Sequence, residues 1–305
     1  MKTILKTSLA LATSALILTA AASRAQTAYA LADNGLSLIK FNLATPGVTT
    51  LVGTISGTGG ARIDGIDFRP NDGLLYAYSQ QANGVFTLNL NTAAATPAST
   101  PTTASTIRNL GIDFNPVADR LRLVNDVDQN LRINIATGAT IVDGALAFVA
   151  GDPNFGTSPS LNEAAYTNSD INLATGTTLF YIDPNLDILV STINPNAGAL
   201  NTIGALGVNT TDLTGFDILS DGLGGNTAYA LLTATSGVAS LYTVNLATGA
   251  AIAVGAINPP AATARPYSLA IVQPPPVPEP GTLLFGFALL GASLTRNRRN
   301  TAPRA

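Results

Sequence analysis

The sequence predicts an all-β protein, a β-propeller of five four-stranded blades whose ring is closed by the C-terminal strand completing the first blade. Three observations predict it. A short unit recurs five times at near-constant spacing; each unit breaks into brief apolar runs separated by Gly, Asn, Asp and Pro; and the first and last units are incomplete in complementary ways.

The unit opens with Gly65-Ile66-Asp67-Phe68, Gly111-Ile112-Asp113-Phe114, Glu163-Ala164-Ala165-Tyr166, Gly215-Phe216-Asp217-Ile218 and Ser268-Leu269-Ala270-Ile271, spaced by 46, 52, 52 and 53 residues. A period near 50 is the mark of a propeller or a related repeat array. Second runs follow at 74–78, 121–124, 178–182 and 228–232, and third runs at 85–90, 131–135, 188–193 and 240–246. Fourth runs end in pairs such as Ile203-Gly204 and Val254-Gly255, while the Thr-, Ala- and Pro-rich stretch 92–106 hides the fourth run of its unit. Short β-branched or alternating runs bounded by turn residues are strands, and four per unit make a blade.

The ends of the core decide the count. The first unit has only three runs, at 29–32, 36–42 and 48–55, and the last, 267–272, is one opening-type run. Joining them gives five blades and leaves no exposed sheet edge inside the ring. A β-sandwich or β-solenoid is the competing architecture.

Outside the core, residues 1–25 form a secretory signal peptide: Lys2 and Lys6 precede the apolar run Leu9 to Ala22, and Ser23-Arg24-Ala25 suits a signal peptidase cutting between Ala25 and Gln26. The propeller occupies 26–272 and a Pro-rich linker 273–276. The tail, 277–305, carries Pro278-Glu279-Pro280, an apolar segment from Thr282 to Leu294 and the basic cluster Arg296, Arg298 and Arg299. The segment is short for a bilayer span of roughly 20 residues, so it reads as a short transmembrane anchor.

That ordered set resembles the PEP-CTERM sorting signal of Gram-negative bacteria. The resemblance implies an exosortase-type partner, processing near the motif, contact with the inner membrane only through the tail, and delivery to the cell surface or extracellular matrix. A second resemblance lies in the core. The stretch from Gly111 to Asn134, above all Asn115-Pro116 and Asp119-Arg120-Leu121-Arg122, with Ala136-Thr137-Gly138 and Asp143-Gly144-Ala145-Leu146 beyond it, is similar to the domain-of-unknown-function 4394 family. It implies propeller-like repeats and carries no activity with it.

Composition narrows the chemistry. The chain has no Cys and no His, which excludes thiol chemistry, His-based triads and the usual zinc sites. Of 15 basic residues, Lys2, Lys6, Arg24, Arg296, Arg298, Arg299 and Arg304 lie in the terminal segments, which leaves 8 against 18 acidic residues if Glu279 of the tail is kept, about −10 rather than −3. Such a core repels nucleic acid.

Three sets of residues are candidate sites. Asp67, Asp113 and Asp217 share one repeat position, replaced by Ala165 and Ala270 elsewhere. They form either a ring of carboxylates near the channel, able to bind a cation or act in glycoside cleavage with Glu163, or acceptors for backbone N–H groups of their own blades; the structural role is favoured. Asp126-Val127-Asp128-Gln129-Asn130 has oxygen ligands at alternate positions, but its slot holds hairpin residues in every other unit. Turn structure is therefore favoured over Ca2+, and no cofactor is expected. Arg120, Arg122 and Arg132 are three of the eight core basic residues and fall in one blade, where they pair with local Asp residues or bind an acidic or sulfated sugar.

The functional expectation is an exported surface or matrix propeller that binds or scaffolds polysaccharide or a surface protein and is not an enzyme. The alternatives are a polysaccharide hydrolase using Asp and Glu, and a calcium-stabilised surface-layer component.

Overall fold

The computed structural model describes residues 26–260 and 265–274. The signal peptide, with Ala25 of its cleavage site, Pro275 and Pro276 of the linker, and the sorting tail with Pro278, Glu279 and Pro280 lie outside the described residues.

Five sheets, each built on four antiparallel strands, form the five blades. The first blade holds β1 (Thr27–Ala32), β2 (Ser37–Asn42) and β3 (Thr45–Thr54); the second β4 (Gly65–Phe68), β5 (Leu75–Ser79), β6 (Gly84–Leu88) and β7 (Ala95–Ser99). The third holds β8 (Leu110–Asn115), β9 (Arg120–Asn125), β10 (Asn130–Ile133) and β11 (Thr140–Val142). After β12 (Ala147–Phe148), the fourth holds β13 (Glu163–Tyr166), β14 (Leu179–Asp183), β15 (Ile188–Asn194) and β16 (Ala199–Ala205). The fifth holds β17 (Thr210–Ser220), β18 (Asn226–Ala234), β19 (Ala239–Val244) and β20 (Ala251–Ala256).

The last strand, β21 (Tyr267–Ile271), pairs antiparallel with β1, so the chain's C-terminal strand is the innermost strand of its first blade. Val272 N–H bonds Thr27 O beside it. The innermost strands then contact one another in the order β21, β4, β8, β13, β17 and back to β21. The five-bladed ring closed by the C-terminal strand is thus as the repeat spacing predicts.

Strand alternation explains the core. Leu75 and Ala77 of β5 pack toward the first blade, whereas Tyr76 and Tyr78 pack toward β8 and β9. Each blade is therefore apolar on both faces, and five buried clusters form, one between each pair of neighbouring blades. The inner strands are accordingly buried along their length, GIDF in β4 and EAAY in β13 among them.

Two details depart from the repeat. β12 pairs parallel with the outermost strand β16, giving the fourth blade a fifth strand. The hidden fourth strand of the second blade is β7, where Pro97 is tolerated because the strand is outermost. Among the described residues no helix is long and apolar enough to cross a membrane.

The hairpins between second and third strands behave as turn chemistry requires. Each contains a residue in the left-handed region: Asn34, Asn83, Asp128, Asp187 or Gly237. Asn125 Oδ1 accepts the N–H groups of Val127 and Gln129, so the Asp126–Asn130 stretch is built round an Asn-capped turn.

Candidate functional site

The side chains that line the axis come from one repeat position. Asp67 on β4, Asp113 on β8 and Asp217 on β17 each place a carboxylate oxygen within 4.8 Å of the other two, and all three are at least 96% buried. Glu163, on β13, is equally buried. Among the described residues no ion pair involves any of the four.

The backbone explains how such a cluster is held. Asp67 Oδ2 accepts the N–H of Phe114 (2.7 Å), Asp113 Oδ1 that of Tyr166 (3.2 Å) and Asp217 Oδ2 that of Ile271 (2.6 Å). Each donor lies on the inner strand of the next blade, not in the turns of the Asp's own blade as the sequence suggests. Own-blade N–H groups contribute as well: Ile218 donates to Asp217 Oδ1 (2.6 Å), and the Phe68 N–H bonds the Asp67 carboxylate. Inner strands crowd together at the axis, so the neighbouring backbone is nearer than any turn.

The two blades without the repeat Asp compensate. Ala165 and Ala270 are preceded, two residues earlier on the same strand face, by Glu163 and Ser268, where the other blades carry Gly65, Gly111 and Gly215. Glu163 accepts the N–H of Phe216, and Ser268 Oγ accepts that of Ile66 (3.1 Å). Every blade boundary is thus bridged by one side chain from an inner strand. The glycines are required by closeness: a Cβ on Gly111 would overlap the Glu163 backbone, and one on Gly215 would crowd Leu269 N.

Electrostatics follow from this packing. Burial pushes the Asp67 and Asp113 carboxyls well above the usual range, and neighbouring carboxylates push further: Asp217 on Asp67, and Asp67, Asp217 and Glu163 on Asp113. Burial raises Asp217 to about 7, partly opposed by the N–H groups of Ile271 and Ile218. Glu163 rises for the same reason, reinforced by Asp217. Burial and mutual repulsion thus favour the protonated form of these carboxyls relative to exposed ones.

Above this ring the channel opens. A cavity of about 610 Å3 lies at the N-terminal ends of the inner strands, walled by Asp64, Arg108, Asn109, Asn162, Asp212, Arg265 and Tyr267 and by the β1–β2 hairpin residues Asp33 and Asn34. The opposite mouth is narrower, about 180 Å3, between Phe68, Ile171 and Val272. Arg108 is anchored through Nε to Asp64 Oδ1 (2.8 Å), whose Oδ2 accepts the Gln80 N–H (2.7 Å). Burial raises the Asp64 carboxyl, while that N–H and the charges of Arg108 and Arg62 oppose the rise. Tyr267 donates its hydroxyl to Ile63 O (2.8 Å).

Arg120, Arg122 and Arg132 do not meet at this cavity. Arg122 is 1% exposed and gives Nη1 to Asp143 (2.6 Å) and Asn130 (2.7 Å), Nη2 to Asn196 (3.0 Å) and Nε to Tyr166 OH (3.2 Å). Arg132 grips the same Asp143 with Nε (2.7 Å) and Nη2 (2.9 Å), and Arg120 donates to the carbonyls of Ala118 and Asp119. The pair tying Asp143 fastens the β11–β12 connection and Asn196, which follows β15, to the third blade.

Residues 37–265 match the family described as a domain of unknown function (DUF4394). The chain belongs to the DUF4394 family. No curated protein matches it by sequence. Among solved structures, the DUF4394 chain is similar to one in a nidogen/laminin complex, at 12% identity over 81% of this chain and 98% of that one, TM-score 0.48. A protein of unknown function from Bacteroides thetaiotaomicron matches at 12% identity over 68% of this chain and 53% of that one, TM-score 0.44. A protein from Lactobacillus plantarum matches at 15% identity over 78% of this chain and 69% of that one, TM-score 0.39.

Sequence reading passed over the mouth of the DUF4394 channel, although a signal was present. Arg62, Arg108 and Arg265 each stand three residues before the opening residue of a unit, ahead of Gly65, Gly111 and Ser268. Ser160 and Asp212 fill that slot in the other two.

Proposed function

We propose that this DUF4394 propeller is an exported binding module that holds polysaccharide or a surface protein at the wide mouth of its channel. The observation that carries the reading is the 610 Å3 cavity, which combines guanidinium, amide, carboxylate and phenol groups from all five blades. Its size lies in the usual range for ligand pockets. The carboxylates below it bond neighbouring backbone, a structural duty that favours binding over hydrolysis.

Export rests on the ends of the sequence. The signal peptide cut between Ala25 and Gln26, and Pro278-Glu279-Pro280 with its apolar segment and Arg cluster, direct the chain through an exosortase-type partner to the surface or matrix of a Gram-negative cell.

The test is to fractionate cells expressing the full chain and to incubate the purified protein with host matrix. The reading predicts surface or matrix recovery, loss of that sorting when Pro278-Glu279-Pro280 is replaced by alanines, and retention on matrix that an Asp212→Trp block of the mouth, at an exposed lining residue, abolishes. Cytoplasmic recovery, or matrix retention indifferent to the block, contradicts it.

A further inference from the structure

The cavity is electrically lopsided, and the repeat makes it so. Arg62, Arg108 and Arg265 occupy one repeat slot on the inner-strand approaches of the second, third and first blades, which are neighbours round the ring. The same slot carries uncharged Ser160 in the fourth blade and Asp212 in the fifth. Arg108 and Arg265 therefore form an arc of two arginines in the wall of the mouth, which they share with Asp33, Asp64 and Asp212; Arg62 occupies the slot between them in the repeat but does not line the cavity.

The arginines differ from those of the third blade in having donors to offer. Arg108 uses only Nε, on Asp64, and its Nη1 and Nη2 have no partner among the described residues. Arg265 lines the cavity and also has no hydrogen-bond partner among the described residues. Arg62 lies near enough to affect both Asp64 and Tyr267. The Asp64 anchor holds the Arg108 fork in one orientation before any ligand arrives, which lowers the ordering cost of binding. Arg122 and Arg132, by contrast, are committed to Asp143.

We propose that this arc recognises the anionic group of an acidic saccharide, a uronate carboxylate or a sulfate ester, while the opposite wall takes its hydroxyls. The inference rests on the binding-module reading and names the ligand class. A planar guanidinium with its Nη1 and Nη2 free, as in Arg108, matches carboxylate or sulfate oxygens in paired bonds, which an ammonium cannot do. Exposed Asn34 and Asp212 supply amide and carboxylate groups for hydroxyls, while Asn162 is committed to Asn109, Thr214 and the Asp212 carbonyl, and the apolar part of the wall is confined to Leu110, Leu213 and the Tyr267 ring. Few apolar anchors and many planar polar groups suit a sugar better than a peptide side chain.

The acidity of the whole core does not forbid an anion. At physiological salt, exposed charges more than about 8 Å apart are largely screened, so the distant acidic residues count for little, and of the carboxylates in the wall Asp64 is already paired with Arg108.

The test is calorimetric titration of the full chain with a uronate oligosaccharide, a sulfated oligosaccharide and a neutral one of equal length, using wild type, Arg265→Ala, Arg108→Lys and Arg108→Gln. Arg265→Ala guards against misfolding, because Arg108→Gln also deprives buried Asp64 of its partner. The expected result is binding of one or both acidic sugars over the neutral one, with affinity falling at least about 10-fold in Arg265→Ala and Arg108→Gln, as lost charged hydrogen bonds imply. Whichever acidic sugar binds identifies carboxylate or sulfate as the group read. Equal binding of the neutral sugar, unmoved by the arginine changes, overturns the acidic class and leaves the binding-module reading standing. Absence of binding to any sugar, with matrix retention unaffected by the Asp212→Trp block, overturns both.

Discussion

The carboxylate of Asp113 on β8 accepts the backbone N–H of Tyr166 on β13, at 3.2 Å, across the boundary between the third and fourth blades. The same relation, from a different residue each time, closes all five boundaries: Asp67 to Phe114, Glu163 to Phe216, Asp217 to Ile271 and Ser268 to Ile66. The channel polar residues are thus part of what holds the ring, and the mouth above them is free to bind.

If the bond rather than the charge matters, Asp113→Asn and Asp113→Ala separate. Asn keeps an acceptor and removes a buried charge, so stability at pH 7.5 should be unchanged or higher. Ala orphans the buried Tyr166 N–H and should lower unfolding free energy by about 1–3 kcal/mol. Urea denaturation of both variants checks this; an Asn variant as weak as the Ala variant would show that the ionised form is needed.

The pH dependence has a defined sign. Folded Asp217 titrates at about 7, above the ordinary carboxylate range, and Asp67, Asp113 and Glu163 are also raised. The folded state therefore binds more protons than the unfolded chain between about pH 4 and 7, and stability falls as pH rises through that window. Melting temperature should be higher at pH 5 than at pH 7.5, and Asp217→Asn should flatten the slope. A melting temperature that rises across the window would contradict the assignment.

Arg122 should be the most sensitive arginine. Replacing it by Ala removes four side-chain bonds from a site that is 1% exposed and leaves buried Asp143 with Arg132 only. Breaking a buried pair in this way is destabilising by about 3–5 kcal/mol. Chemical denaturation of Arg122→Ala beside Arg120→Ala, whose contacts are local carbonyls, should show the difference.

Gly111 supplies a steric test. Its Cβ would collide with the Glu163 backbone, so Gly111→Ala should cost about 1–3 kcal/mol or more by forcing β8 and β13 apart. Thermal unfolding of this variant decides the matter, since an unchanged melting temperature would mean the inner strands have slack.

Much of this was legible in the sequence. A spacing near 50 residues, four strand-like runs per unit and an unmatched last strand were enough for a five-bladed ring, because hydrophobic alternation and turn residues are local properties. The direction of the Asp bonds was not legible: whether Asp67 meets its own turn or Phe114 depends on how closely five strands crowd an axis. β12 was missed because two residues, Ala147 and Phe148, give no periodic signal. The arginines were read by proximity along the chain, which grouped Arg120, Arg122 and Arg132; alignment of the units by slot would have grouped Arg62, Arg108 and Arg265. Arg122 and Arg132 do meet, as cross-strand partners on Asp143 and away from the mouth, whereas charges from three blades look scattered until the ring brings them together.

The most direct test of the division between a ring that holds and a mouth that binds is to measure matrix binding and melting temperature together for Arg265→Ala and Asp113→Ala. The account predicts that Arg265→Ala loses binding with its melting temperature unchanged, and that Asp113→Ala keeps binding with its melting temperature lowered. Loss of binding in Asp113→Ala below its melting transition, with full binding retained by Arg265→Ala, would put the site in the carboxylate ring and contradict it.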